Sequence, residues 1–451
     1  MFETEPIVKQ GTVLGSAMCS SLTGEYCGMN EGVRVGNMML SSLLYVDDLL
    51  DLTETLSDRE KSHLQAIVFT KQNNMSLSGT KCFGMGINSD EPLPVLPIDV
   101  DKQVIPVEEI VYLGDVFNTK GNNDGLIKDR VRRATKAMIS ISSLVKETNL
   151  GIYEVQVWLL LYRSLFLSTV LFNSQAWSGI RKKDIEQLQI VQLKFLKRIL
   201  NLPSSTPNSF LFLELGVLPI EKEIHKRQLM YLHRILTMSE EDPVRQMFTN
   251  LVEFTDKGES NWWSQVKPFL VKYNLPQSLD EIKNLSKVTF KGMVNKAVAT
   301  TAFEELKAEC GSLKKTADLS YDTFKLQGYL SKLFPNQARV IFKGRCKTLD
   351  IKTHNTYMYR EDTACRGCGI ENETLEHVLN CGHEECLTLD LSRIDTDSDN
   401  VVTKLIQAVN RITSFKEMCE EKENSQKSKA APPQNCEPSQ SLTQSKTTVA
   451  Q

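Results

Sequence analysis

Ser41-Ser42-Leu43-Leu44-Tyr45-Val46-Asp47-Asp48-Leu49-Leu50-Asp51-Leu52 sets two short apolar runs on either side of a pair of adjacent aspartates. Runs of this length suit two buried strands, and the aspartates suit the turn between them. Such a turn holds two carboxylates at one exposed point, which is unfavourable unless cations neutralise them. Two Mg²⁺ ions clamping a phosphoryl-transfer centre would supply that charge. The plainer alternative is a pair of solvated turn aspartates, and the dipeptide alone does not choose between the two.

Working outward, Gln10-Gly11 followed by Gly15-Ser16-Ala17-Met18 reads as a glycine-permitted approach of backbone to ligand, or as an ordinary loop-to-helix junction. Ser57 to Lys71 predicts an amphipathic helix with Ser57 as N-cap, Glu60 three residues on, and Leu64, Ile67 and Val68 inward. Asn73 to Ile87 reads as a strand carrying Lys81. Glu109 to Phe117 reads as a hairpin strand leading to a turn at Gly121.

Helical patterns then dominate. They cover Asp124 to Lys146, Asp184 to Leu200 with Leu188, Val191, Phe195 and Ile199 as apolar stripe, and Pro219 to Leu236. Asp184 and Gln187 are placed as a capping pair. Val155 to Trp177 is the longest apolar stretch. It contains Arg163, Asn173 and Gln175, which favours a buried helix over a membrane span. Trp262-Trp263 suit packing anchors, and the Ser-, Gln-, Lys- and Pro-rich tail after Glu420 predicts disorder.

The 451-residue chain is long enough for two or three domains. Its net charge of −3 does not mark the whole chain as a nucleic-acid binder. The middle third differs. From Lys120 to Glu147 seven Lys/Arg face three Asp/Glu, and from Arg181 to Arg234 ten face five. These windows, with Arg130, Arg132, Arg133 and Lys136 in the first, could track a phosphate backbone or could be solvated helix faces.

Eleven scattered cysteines, with no secretory signal at the start, point to a reducing interior, nuclear or cytoplasmic. One cluster stands out. Cys365-x2-Cys368-x8-His377-x3-Cys381 has ligand types and spacings suited to tetrahedral Zn²⁺. A helix over Glu373 to Asn380 would put His377 and Cys381 on one face, and Gly367 and Gly369 allow a knuckle. His383 and Cys386 are rival ligands.

Tyr45-Val46-Asp47-Asp48 in an apolar hairpin resembles the polymerase motif of non-LTR (LINE-like) retrotransposon reverse transcriptases. Gln10-Gly11 upstream, Tyr112-Leu113-Gly114 downstream, Trp177, the Leu202-Pro203 to Thr206-Pro207-Asn208 linker and the Cys–His cluster resemble further elements of that family in order. The resemblance implies an α+β fold: a partial palm over 1–121, a helical thumb over 122–250, a connector over 251–345, a zinc-knuckle-like module over 346–390, and a helix with tail over 391–451. It implies nucleotidyl transfer by an RNA-directed DNA polymerase, with Asp47 and Asp48 on Mg²⁺ and Gln10, Gly11, Tyr45 and Lys81 facing the nucleotide. The thumb cations would grip an RNA–DNA template–primer, and Zn²⁺ would be structural. The family also has an upstream strand bearing a further metal-binding aspartate, and before it the fingers. Residues 1–46 contain no aspartate. The expectation is therefore the C-terminal portion of such a polymerase, inactive alone. The alternative is a non-catalytic nucleic-acid-binding protein using the thumb and zinc module.

Overall fold

Helix-forming periodicity claims most of the chain, and the strands among the described residues, short pairs and one three-stranded sheet, lie between residues 33 and 118. The computed structural model describes residues 13–27, 29, 31–36, 38–148, 155–359, 362–382, 391 and 399–429. The class is α+β, mainly helical. Among the described residues the chain forms two compact units, Met1–Pro335 and Asn336–Gln451. The Pro335–Arg345 helix thus falls almost wholly in the second unit, whereas the sequence reading ends the connector at 345.

In the first unit, the quoted stretch folds as an antiparallel hairpin, Ser42–Tyr45 against Asp48–Asp51, with Tyr45 opposite Asp48. Val46 at φ +59 makes the reversal, and Asp48 opens the second strand instead of sharing the turn. The strands are not buried as expected. Tyr45 is 62% exposed, and Leu43 and Leu49 are also open to solvent. A two-stranded ribbon covers neither of its own faces. What anchors this hairpin is Asp51. Its carboxylate accepts hydrogen bonds from Tyr26 at 2.7 Å, Ser42 at 2.7 Å and Ser62 at 2.9 Å.

That anchor also rotates the next helix, Leu56–Gln72. Ser62, Ala66 and Phe69 face inward, Phe69 against Tyr26, while Leu64 and Val68 are 61% and 52% exposed. The predicted inner face is therefore corrected. The N-cap is Thr55, not Ser57, and its hydroxyl accepts from the Asp58 amide at 3.1 Å. The expected strand over 73–87 shrinks to Phe83–Gly84, which pairs in parallel with part of Lys102–Pro106. A further hairpin pairs Glu109–Tyr112 with Asp115–Asn118.

Beyond residue 120 the helices bury one another. Asp124–Thr148 packs on Lys182–Ile199, joined by Arg181 to Asp124 at one end and Arg198 to Ser142 at the other. The cap of the second helix is Arg181, whose amide donates to Asp184 at 2.9 Å, so Asp184 works from inside the helix, without Gln187. Val155–Leu161 runs through a π-helical turn, Tyr162–Phe166, into Leu167–Val170 and stops short of Trp177. Buried Gln192 ties this turn to the next helix start, donating to Tyr162 and the Leu218 carbonyl and accepting from the Ile220 amide. No helix among the described residues is long and apolar enough to cross a membrane.

An extensive core lies among Ile220–Leu236, Pro243–Asp256, Trp262–Lys272 and Lys287–Ser312. Trp262 and Trp263 sit in it as anchors against Phe248. The last helix contributes Phe290, Val294, Val298, Ala302 and Leu306, a buried residue every fourth position.

In the second unit, Asp399–Lys429 is a single long helix, so the disorder expected after Glu420 does not begin before 429. Positions 430–451 lie outside the described residues.

Candidate metal centre

The site is built by a turn and a short helix. An antiparallel bridge joins Ala364 to Asn372 and closes the turn between them. The Cys365 amide donates to the Glu371 carbonyl at 2.7 Å, and the Gly369 amide to the Cys365 carbonyl at 2.8 Å. Gly369 lies at φ +71, a left-handed conformation glycine enters without a Cβ clash. The turn aims amides at sulfur: Gly367 donates to Cys365 Sγ at 3.3 Å and Ile370 to Cys368 Sγ at 3.5 Å. Thr374 caps the helix Leu375–Asn380 by accepting from the His377 amide, and Cys381 ends it one turn after His377.

These elements bring Cys365, Cys368, His377 and Cys381 together, with one ligand atom from each within 4.8 Å of the others. The Sγ atoms of Cys365 and Cys381 are 3.9 Å apart, and Cys368 Sγ is 3.4 Å from His377 Nε2. A zinc tetrahedron with bonds of about 2.3 Å to sulfur and 2.0–2.1 Å to nitrogen has edges of roughly 3.8 Å and 3.5 Å. The cluster could therefore hold a metal such as zinc. Four protein ligands leave no open position, which is the arrangement of a structural ion.

Electrostatics agree with the geometry. The backbone amides of Glu371 and Ile370 lower the Cys368 thiol to about 6. Burial, reinforced by the adjoining Cys365, pushes Cys381 up to about 12. Without a cation the cluster thus keeps a proton that a dication would displace. Glu371 Oε2 lies 2.9 Å from His377 Nδ1, which fixes the ring and leaves Nε2 for the metal.

Beneath the ligands lies a buried ion pair. Glu373 is fully buried and receives the Arg366 guanidinium and amide together with the Lys352 amide at 3.0 Å. Burial alone would raise the Glu373 carboxyl, and Arg366 more than reverses this, leaving it below the usual value. Arg366 stands between the first two cysteines and Glu373 just ahead of the ligand helix, so the pair ties the two ligand segments together. The sequence reading missed Glu371 and Glu373; the only signal was three acidic residues, Glu371, Glu373 and Glu376, between the ligand pairs.

The other expected site residues are dispersed. Asp47 and Asp48 are exposed at the hairpin, and among the described residues no third His, Cys, Asp or Glu joins them in a metal-holding group. Mg²⁺ is unsupported. Lys81 is exposed in the turn before Phe83. Tyr112, on the Glu109–Asn118 hairpin, donates to the Leu43 carbonyl at 3.4 Å; burial and nearby Asp48 raise its phenol. Gln10, Gly11, His383 and Cys386 lie outside the described residues.

The cations expected to grip a duplex are largely engaged. Arg130 is 1% exposed, paired with Asp115, bonded to the Gly114 carbonyl and 5.2 Å from the Phe172 ring centroid. It holds the Glu109–Asn118 hairpin to the helix and is corrected from phosphate ligand to internal staple. Arg132 and Arg133 share Asp129, while Lys136 is exposed. In the second window Lys222 is buried against Glu305, Lys226 pairs with Glu223, and Arg227 donates to the Leu171 carbonyl. No known family's model matches the sequence, and no curated protein is similar to it.

Proposed function

We propose that the chain is a nucleic-acid-binding relative of the non-LTR retrotransposon reverse transcriptases, with a structural zinc module in its second unit. The observation that carries this reading is the convergence of Cys365, Cys368, His377 and Cys381 at tetrahedral edge lengths. It is joined by the sequence resemblance along the first unit. The partner is an RNA–DNA template–primer duplex. Lys128, Arg132 and Lys136 recur every fourth residue on an exposed face of the Asp124–Thr148 helix and supply the phosphate contacts.

A second reading is nucleotidyl transfer itself. What favours it is the Tyr45–Asp48 hairpin, which presents adjacent carboxylates to solvent. Two-metal chemistry needs ligands from more than one strand, so this reading requires a further carboxylate. Duplex binding by the full chain, followed by fluorescence anisotropy over a salt series, separates the two readings when paired with primer extension on an RNA template. Tight, salt-dependent binding without extension supports the first; extension abolished by Asp47→Ala supports the second. Absence of both binding and extension would exclude them together.

A further inference from the structure

The four ligands come in two pairs, and a single helix holds both. Within Asp399–Lys429, Leu405, Ala408 and Ile412 are buried, and Phe415 and Cys419 continue their stripe at alternating steps of three and four. Arg411 Nη1 donates to the carbonyls of Val378 at 3.1 Å and Leu379 at 2.6 Å, both lying between His377 and Cys381. One turn further on, the Phe415 ring covers Gly367, which lies between Cys365 and Cys368. A Cβ at Gly367 would stand 2.5 Å from that ring. Cys419 Sγ is 4.0 Å from the Arg366 carbonyl, and Lys416 pairs with Asp350.

Gly367 is thus required by close approach, since only Gly369 of the two knuckle glycines takes a positive φ. The short helix Leu375–Asn380 has no stability of its own at six residues. Its last carbonyls lack intrahelical partners, and Arg411 satisfies two of them while placing a cation at the negative end of the helix. The separation of the two ligand pairs therefore depends on a helix that donates no ligand.

We propose that Arg411 and Phe415 are positioning residues of the metal centre, holding the two ligand pairs at ligating distance, and that zinc in turn fastens the Asp399–Lys429 helix. The inference rests on reading the cluster as a zinc site. Coupling is reciprocal: whatever affinity the docked helix lends the ion, the ion returns as stability of the docked helix.

The test uses the full chain, with zinc affinity from chelator competition, Co²⁺ ligand-field bands as a report on ligand geometry, and amide exchange across residues 399–429. Zinc should slow exchange in the helix. Arg411→Gln and Phe415→Ala should weaken zinc about 10–100-fold, as loss of outer-shell support does, and alter the Co²⁺ bands. Gly367→Ala should weaken zinc by driving its methyl into Phe415. Adding Phe415→Ala to Gly367→Ala should recover affinity relative to Gly367→Ala alone, because the clash is gone. Wild-type affinity in both Arg411→Gln and Phe415→Ala, or no recovery in the double variant, overturns the positioning role while leaving the zinc site standing. Absence of zinc from the wild-type chain overturns the site and this inference together.

Discussion

The Asp47–Asp48 hairpin and the Cys365–Cys381 segment are both short, turn-rich and polar, yet only the second gathers its side chains around a point. The hairpin is two strands of four residues, exposed on its apolar positions and tied down through Asp51 at its far end. Its paired carboxylates are exposed at the reversal, with Tyr112 beside Asp48. The cysteine–histidine segment stands on a buried Arg366–Glu373 pair, a bridged turn and a helix clasped by Arg411. Ligand convergence follows from a desolvated scaffold that fixes turn and helix together, and residue types in sequence are only the precondition.

The sharpest break of this contrast is Cys381→Ser. Zinc stoichiometry in the purified chain should fall from near one to near zero, and metal analysis checks it. In the wild type, affinity should weaken as pH falls, because the raised Cys381 thiol must shed its proton to ligate. A pH-independent affinity would contradict the proton displacement argued for this sulfur.

Next comes the scaffold. Glu373→Ala strands Arg366 in a buried site and should destabilise the second unit by about 3–5 kcal/mol. Amide exchange over residues 336–382 in urea reads this loss. Because the Glu373 carboxyl is depressed when folded, its contribution is present above its ordinary value of 4.5 and disappears as pH falls through the lower folded value. A variant as stable as wild type would mean the ligand turn needs no ionic support.

A smaller effect is expected in the first unit. Neutralising Lys128, Arg132 and Lys136 together should reduce the salt slope of duplex binding by about 2–3, at roughly 0.7–0.9 per lost phosphate contact. An unchanged slope removes these residues from the interface. Charge removal at Arg130 belongs to a different class: it should unfold the hairpin junction with Asp115 instead of changing the slope alone.

The smallest change is predicted at the exposed hairpin. Asp47→Ala should shift stability by no more than about 0.5 kcal/mol, as surface substitutions generally do. Melting of the two proteins side by side tests it. A large loss would show that the hairpin carries a contact beyond the described residues.

Much of the helical layout was legible before the structure. The stripe Leu188, Val191, Phe195 and Ile199 is buried in one helix, and Trp262 and Trp263 sit as anchors in the core around Phe248. Less legible were the faces and caps near Asp51. Leu64 and Val68 read as core because apolar periodicity was the only signal. Hydroxyls from Tyr26, Ser42 and Ser62 converge on one carboxylate and turn that helix the other way. Cation counts misled for a similar reason. A lysine or arginine has the same formal charge whether it faces solvent or, like Arg130 and Lys222, lies buried against a carboxylate.

The sequence by itself pointed to the ligand types and spacings of the second unit, with His383 and Cys386 open as rivals, since three thiolate donors and an imidazole suit few ions other than zinc. It also determined the hairpin around Asp47, because apolar runs of four flanking a polar reversal fold locally. Tertiary structure decided which of those two features becomes a site. It supplied Glu373 beneath the ligands, Arg411 at 33 and 32 residues from the two carbonyls it binds, and Phe415 over Gly367. Such contacts cross long stretches of chain and cost conformational entropy to form, so they exist only where burial of the surrounding side chains offsets it. No periodicity in the sequence reports that balance.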